Sequence, residues 1–409
     1  MMIFFGVMLL IFALFDFITL NKWKKFIVSR EKNKYLYIIP FWFGIIMIII
    51  FIYTNYNNFL VFPLPEHIKY FNILISFWYL PKILISPIIL FIDFSDKIRL
   101  LIKKLLKPKI LVENSDIKLL SSRRKFAGNL AWSVAGIPFL LAYKGLMFTV
   151  NEIRIFGEEI ILPKLATELS GLKIVQLSDL HFGTFISKDY LNNILKKVES
   201  LEPDLIFVTG DFVNFRYEEL DYGETFLNEL KATYGVFACL GNHDHYMKIE
   251  DHQKLIKRIN KTGTKLLINE NKTIKIKGQE INIVGVDNFG SRQTFGDFDK
   301  AFTGVNSDNL TILMSHDPNT WEQFVVGKKQ ADITLSGHTH GGQVSFEFLG
   351  YDLSIAKMIY KYYKGLHSIG SQYLYVNRGI GVSGPPIRLG INPEITFITL
   401  KKPLNFTQN

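Results

Sequence analysis

Residues 173–183 read Lys-Ile-Val-Gln-Leu-Ser-Asp-Leu-His-Phe-Gly, a short apolar run that ends abruptly in a polar group. Lys173–Leu177 has the composition of a buried strand. Asp179 and His181 then follow two residues apart. Alternate residues of an extended segment point to the same side, so the pair can embrace one ion or a pair of ions. The construction recurs down the chain. Leu205–Thr209 runs into Gly210-Asp211, Gly235–Leu240 into Gly241-Asn242-His243-Asp244, Thr311–Met314 into Ser315-His316-Asp317, and Ile333–Leu335 into Ser336-Gly337-His338-Thr339-His340-Gly341-Gly342. Other runs lie at Ile281–Val286, Tyr373–Val376 and Ile395–Leu400. Between some of them lie helical faces, Leu191, Ile194, Leu195, Val198 and Leu201 in one place and Leu255, Ile256 and Ile259 in another. Strands alternating with helices early, then closely spaced, predict an α/β sheet with a more antiparallel second half. Ligands of open α/β sheets bind beyond the carboxyl ends of the strands, where these polar groups would gather.

The residue types select the ligand. Carboxylates, imidazoles and a single amide suit Mn, Fe, Zn or similar borderline ions. The lone cysteine, Cys239, excludes a Cys-rich metal site and an intrachain disulfide, and reads as a buried small apolar residue. Asp179, His181, Asp211, Asn242, His316, His338 and His340 are too many donors for one ion. They suit two ions about 3.5–4 Å apart sharing one carboxylate, the arrangement used for in-line displacement at phosphorus. Taken singly, each group has an ordinary reading, since Asp-x-His is weak evidence and Gly-Asp after a strand is common turn chemistry. Taken together they do not, because five of the nine histidines fall in these groups.

The first 150 residues have another character. They hold 19 Lys+Arg against 7 Asp+Glu, a net +12, whereas residues 151–409 hold 28 against 30, a net −2. The excess basic charge is therefore local, and a uniformly basic nucleic-acid binder is excluded. Apolar stretches run from Met2 to Leu20, Tyr35 to Phe62, Tyr70 to Ile92 and Leu130 to Val150. Each is near the ~20 residues a helix needs to cross a hydrocarbon core of about 30 Å. Pro81 and Pro87 make the third kinked or re-entrant, and Lys144 sits inside the fourth. A cleaved signal peptide is disfavoured, because no positive charge precedes the first run. Lys22, Lys24, Lys25, Arg30, Lys32 and Lys34 fill the first loop, and ten basic residues, including Lys103, Lys104, Arg123 and Arg124, fill Asp96–Phe126. The positive-inside rule makes both cytoplasmic, so four spans leave everything after Val150 outside. Lys97–Ile110 reads either as a basic amphipathic helix on the inner surface or as an ordinary charged loop.

The series Asp179-x-His181, Gly210-Asp211, Gly241-Asn242-His243-Asp244, His316 and Gly337-His338-Thr339-His340 resembles the calcineurin-like metallophosphoesterase superfamily, with every block in order. The likeness extends over about residues 151–400. The flanking text SDLHFG and GHTHGGQ, with Asn377–Gly381, is similar to a membrane-anchored phosphodiesterase branch related to UDP-2,3-diacylglucosamine hydrolases. The resemblance implies a four-layer αββα sandwich over 151–409; the transmembrane helical region expected over 1–150 lies outside it and rests on hydropathy alone. The resemblance implies that Asp179, His181 and His340 bind one ion, that Asn242, His316 and His338 bind a second, and that Asp211 bridges them. It makes His243 the donor of a proton to the leaving oxygen, with Asp244 a candidate to orient its ring. The expected reaction is direct attack by a hydroxide activated by two divalent ions, without a covalent enzyme intermediate.

A membrane region this large favours a phosphodiester or pyrophosphate of a lipid-linked substrate, with the bilayer as partner and the inner membrane as location. Nucleotide-linked lipid precursors are expected on the cytoplasmic face, in tension with the charge count. The alternatives are a phosphomonoesterase on soluble phosphates, a non-catalytic phosphate sensor, and a channel or carrier. The sensor has no use for the acid His243. The channel is disfavoured because Asp16 and Lys144 are the main intramembrane charges. Phe182, Gly342, Gln343, Arg378 and Arg388 are candidates to line the cleft. His245 reads equally as a solvated loop residue, and His67, His252 and His367 have no evident partners.

Overall fold

The computed structural model describes residues 2–28, 33, 35–60, 65–106, 132–183, 187–290, 293–348 and 351–403. It divides into two compact units, Met1–Leu146 and Met147–Asn409.

The first unit is helical: α1 (Met2–Val28), α2 (Tyr35–Leu60), α3 (Glu66–Leu106) and α4 (Ile137–Met147). Four helical stretches, Phe5–Val28, Tyr35–Tyr56, His67–Arg99 and Trp132–Asn151, are long and apolar enough to cross a membrane. Their large apolar side chains largely face outward, as in Leu10, Phe17, Ile39, Trp42 and Ile49, while Phe12, Met47, Ile75 and Tyr79 form a small core. That inverted pattern suits a lipid solvent, and the chain is a membrane protein. Two expectations need correction. The third apolar stretch is not re-entrant, because α3 continues as one helix through Pro81 and Pro87. Nor is Lys97–Ile110 a separate surface helix, since residues 97–106 are the last turns of α3, which at about 1.5 Å per residue outruns the hydrocarbon core. Arg30, Lys32, Lys34 and residues 107–126, with most of the basic loop, lie outside the described residues.

One oppositely charged pair is buried among the described residues of this bundle. Asp16 accepts hydrogen bonds from Trp78 Nε1 at 3.1 Å and Tyr79 Oη at 3.0 Å, and is paired with the buried Lys82. Gly44 of α2 permits the approach, because a Cβ there would lie 2.8 Å from Asp16 Oδ2. Lys82 is the intramembrane charge that hydropathy passes over.

The second unit carries two six-stranded sheets and two small two-stranded ones, β8 (Phe289–Gly290) with β9 (Gln293–Thr294) and β12 (Ser345–Phe348) with β13 (Tyr351–Ser354). The first has the order β1 (Arg154–Ile161), β16 (Glu394–Lys401), β2 (Lys173–Leu177), β3 (Leu205–Thr209), β4 (Val236–Cys239) and β5 (Lys265–Leu266). The second has the order β14 (Gly365–Ile369), β15 (Gln372–Val376), β11 (Ile333–Ser336), β10 (Leu310–Met314), β7 (Gln279–Gly285) and β6 (Glu270–Ile276). All eight runs expected from the sequence are strands, divided between the two sheets. Antiparallel pairing in the second half joins β6 to β7, β14 to β15 and β16 to β2, while β7, β10, β11 and β15 run parallel to one another.

Alternation along the strands builds the layers. Val175, Leu177, Ile206 and Val208 face the helices Lys188–Ser200 and Ile249–Lys261 through Leu191, Ile194, Leu255 and Ile259. Ile174, Leu205, Phe207, Phe237 and Cys239 face the other way and meet Ile283, Ile312, Met314 and Leu335 of the second sheet. Val284, Leu313, Leu374 and Val376 then cover Phe298, Trp321 and Val325. The result is the αββα sandwich that the family resemblance implies, and the parallel strands of both sheets end where the polar groups begin.

Candidate metal centre

All seven ligand candidates converge at the carboxyl ends of β2, β3, β4, β10 and β11. Donor atoms lie within 4.8 Å of one another in three overlapping groups: Asp179, His181 and His340; His181, Asp211 and His243; Asp179, Asp211 and His316. His181 Nε2 stands 3.0 Å from His340 Nε2, and His340 Nε2 3.4 Å from Asp179 Oδ1. Asp211 Oδ2 lies 3.6 Å from His181 Nε2 and 3.2 Å from His316 Nε2. Asn242 Oδ1 is 2.7 Å from His338 Nδ1. Asp179, His181, Asp211, His316 and His340 are buried.

The backbone is strained where it presents these groups. Nine described non-glycine residues have positive φ, and five of them are Asp179, His181, Asp211, His338 and His340. Such conformations persist where surrounding structure over-determines them, and they cluster at functional sites. Glycines allow the crowding: a Cβ on Gly210 would lie 2.8 Å from His316 Nδ1, and one on Gly337 2.4 Å from Asp179 Oδ2.

The hydrogen bonds fit a cation. His316 Nδ1 lies 2.7 Å from the Thr209 carbonyl and donates to it, which leaves Nε2 as a lone pair facing the carboxylate of Asp211. Two lone pairs this close require a proton or a metal ion between them. The contact of the His181 and His340 Nε2 atoms poses the same demand. Without an ion, burial opposes a charge on His316, but the neighbouring Asp211 and Asp179 outweigh it and push the imidazole up to about 10. Burial lowers His181 to about 3 and His338 to about 4, and holds His340 well below the usual range, keeping these rings in the neutral, ligating form. Burial acts to raise Asp211, but His316 and the other histidines hold it well below the ordinary carboxylate range.

His243 lies at the edge of the cluster. Its Nδ1 is 2.9 Å from the carbonyl of Asn214, its Nε2 is 3.4 Å from Ser383 Oγ, and its backbone N–H donates to Asp211 Oδ1 at 2.8 Å. Asp244 does not orient this ring, contrary to expectation. Its carboxylate turns away and accepts from the backbone N–H groups of Asp211, Phe212, Val213 and Gly241 at 2.9–3.3 Å, clamping the two ligand loops together. Asn214 orients the ring through its carbonyl, a role that side-chain identity does not reveal.

Other assignments shift as well. Phe182 and Arg388 are fully buried and cannot line a cleft. Arg388 donates to the carbonyls of Arg378, Gly379 and Gly381, shaping the loop behind Asp179. Arg378 pairs with Glu394 at 2.5 Å, and Gly342 packs against Ser354. Gln343 holds Ser383 through both its amide atoms. His245 is no solvated loop residue: it bonds Asp287 Oδ1 at 2.7 Å and stacks between His252 and Phe295. His252 reaches the Asp244 carbonyl, His67 reaches Tyr53 and His367 the Lys364 carbonyl. Three aromatic residues that carry no motif signal complete the mouth. Phe215 and Tyr246 pack against His243, and Tyr360 Oη lies 3.0 Å from His338 Nε2.

Residues 172–342 match the family model described as calcineurin-like phosphoesterase. An uncharacterized metallophosphoesterase of Campylobacter jejuni is 28% identical over 406 residues, covering 96% of this chain and 99% of that one. A metallophosphoesterase of Aquifex aeolicus is 31% identical over 59% of this chain and 87% of its own. A transmembrane protein with a metallophosphoesterase domain from Danio rerio is 29% identical, over 65% of this chain and 61% of that protein.

Proposed function

The chain belongs to the calcineurin-like metallophosphoesterases, and from that premise we propose that it is a membrane-anchored, two-metal hydrolase cleaving a phosphodiester or pyrophosphate bond of a lipid-linked substrate. The convergence of Asp211, His316, His181 and His340 carries the reading, because cations among them would satisfy all the facing lone pairs at once. In it, Asp179, His181 and His340 would hold one ion, Asn242, His316 and His338 the other, with Asp211 shared between them. A divalent pair so held supplies a water of lowered pKa and charge compensation for the phosphoryl oxygens.

The protein's own groups do the rest. His243 keeps Nδ1–H on the Asn214 carbonyl, so the proton it gives to the leaving oxygen departs from Nε2. Its backbone N–H donates to Asp211 Oδ1 and fixes that carboxylate's orientation. Asp244 holds the Asp211 loop, and Tyr360 orients the His338 ring. Phe215 and Tyr246, both exposed beside His243, offer an apolar approach that suits an amphiphilic leaving group. The substrate class extends to the pyrophosphate of a nucleotide-linked lipid, in keeping with the likeness of the flanking motifs.

Full-length protein loaded with Mn²⁺ and reconstituted in nanodiscs tests this. Release of a water-soluble headgroup from lipid-linked phosphodiesters, faster than hydrolysis of a soluble phosphomonoester, is the expected result. Preference for the soluble monoester would overturn it. The loop charges favour the non-cytoplasmic side for the catalytic unit. Protease digestion of a C-terminal tag from outside the inner membrane is then expected, and protection until the membrane is broken would reverse the orientation.

A further inference from the structure

An apolar surface stands beside the metal centre. Leu353, Ile355, Met358 and Ile359 fall within seven residues and are 58–87% exposed, and Met358 is the most exposed large apolar residue among those described. Aliphatic side chains clustered so densely in water mark an interaction site. The segment is firmly held. Ser354 accepts from the Ala356 N–H at 3.3 Å and donates to the Gly341 carbonyl at 3.4 Å, starting the helix Ile355–Ile359. Ala356 is buried against Gly342, where a Cβ would lie 3.1 Å from its own. Thr339 Oγ1 donates to the Tyr363 carbonyl at 2.7 Å, and Tyr360, directly after the helix, reaches His338. The apolar face is thus braced on the loop that carries His338 and His340.

Its surroundings identify the occupant. Lys357 is exposed, Lys361 pairs with Glu322 at 2.5 Å, Lys364 pairs with Asp352, and Tyr360, Tyr362 and Tyr363 lie among them. Outward aliphatic residues flanked by lysines and tyrosines are the composition of an element lying in the headgroup region of a bilayer. The membrane is within reach, because the last candidate span ends at Asn151 and β1 begins at Arg154.

We propose that the helix Ile355–Ile359, with Leu353, inserts into the bilayer surface and holds the mouth of the metal centre against it. This deepens the lipid-linked reading of the site and rests on it. The test uses the full chain in nanodiscs of phosphatidylethanolamine and phosphatidylglycerol. Cys239, the only cysteine, is buried, so a Met358→Cys variant takes an environment-sensitive fluorophore at one position. A Glu280→Cys variant, at the amino end of β7 and so at the opposite end of the sheet, is the control. The expected result is a blue shift and quenching by lipids carrying a shallow nitroxide at position 358 only, with little quenching by aqueous iodide. Equal iodide quenching at both positions without lipid quenching would overturn the proposal. Shielding that grows with the number of chains per disc would also overturn it, in favour of a second copy. Lipid quenching without hydrolysis of any lipid-linked phosphodiester upholds the contact and refutes the substrate. Hydrolysis with the probe in water refutes the contact alone.

Discussion

Both units bury charge, and they do so in opposite ways. In the helical unit Asp16 has a donor for each oxygen: Trp78 and Lys82 on Oδ1, and Tyr79 on Oδ2. In the sandwich, Asp179 accepts the His338 N–H and Asp211 Oδ1 the His243 N–H, yet Asp179 Oδ1 and Asp211 Oδ2 also face imidazole nitrogens, and two imidazole nitrogens face each other. The first cluster is built from regular helices, the second from residues at positive φ. A buried charge whose partners are complete is architecture, whereas one whose acceptors confront one another is a seat for a cation. The distinction is visible only when each lone pair is assigned.

The largest loss is expected where the shared carboxylate is removed. Asp211→Asn is expected to lower phosphodiester hydrolysis by at least about a thousandfold, measured as kcat/KM on the metal-loaded protein. His243→Ala should cost roughly 10²–10⁴ in kcat while bound metal stays at the wild-type level, which separates the acid from the ligands. On the architectural side, Lys82→Ala leaves Asp16 buried and uncompensated. Thermal unfolding in detergent should show a loss of about 3–5 kcal/mol, and the double change Asp16→Leu with Lys82→Met should recover most of it. Activity of the folded fraction is expected to survive both. Asp244→Ala sits between the two classes. Four buried N–H groups lose their acceptor at about 1–3 kcal/mol for each left unsatisfied, so the unfolding midpoint and kcat should fall together.

The smallest effect sharpens the account through pH. Burial raises Glu219 to about 7, against the pull of the N–H groups of Asn214 and Phe215. The folded state then holds a proton that the unfolded chain releases near 4.5. The stability contributed by Glu219 is complete below that value and is lost as pH rises through about 7. Glu219→Gln should therefore flatten the fall in stability between pH 5 and 8 in denaturant titrations. An unchanged slope would remove Glu219 from the explanation.

The legible part of this molecule was its repeated grammar, a buried strand followed at once by Asp, Asn or His. Such strands read as continuous apolar runs, and their ends name the donors. What escaped the sequence was of three kinds. Edge strands such as β1 and β6 are half-exposed and mix Glu, Lys and Asn with apolar residues, so they carry little periodic signal. Roles played by backbone atoms, such as the Asn214 carbonyl, leave no trace in residue type, and the adjacency of Asp244 to His243 misleads because successive side chains diverge. Partners from distant segments, Lys82 for Asp16 and Tyr360 for His338, depend on packing that no local pattern encodes.

Elemental analysis of the purified full-length chain, beside His243→Ala and Asp211→Asn, counts the ions that the facing carboxylate and imidazole groups hold. Two divalent ions per chain are expected in the wild type and in His243→Ala, and loss of at least one in Asp211→Asn. No more than one ion in the wild type, or two retained in Asp211→Asn, would contradict the two-metal reading.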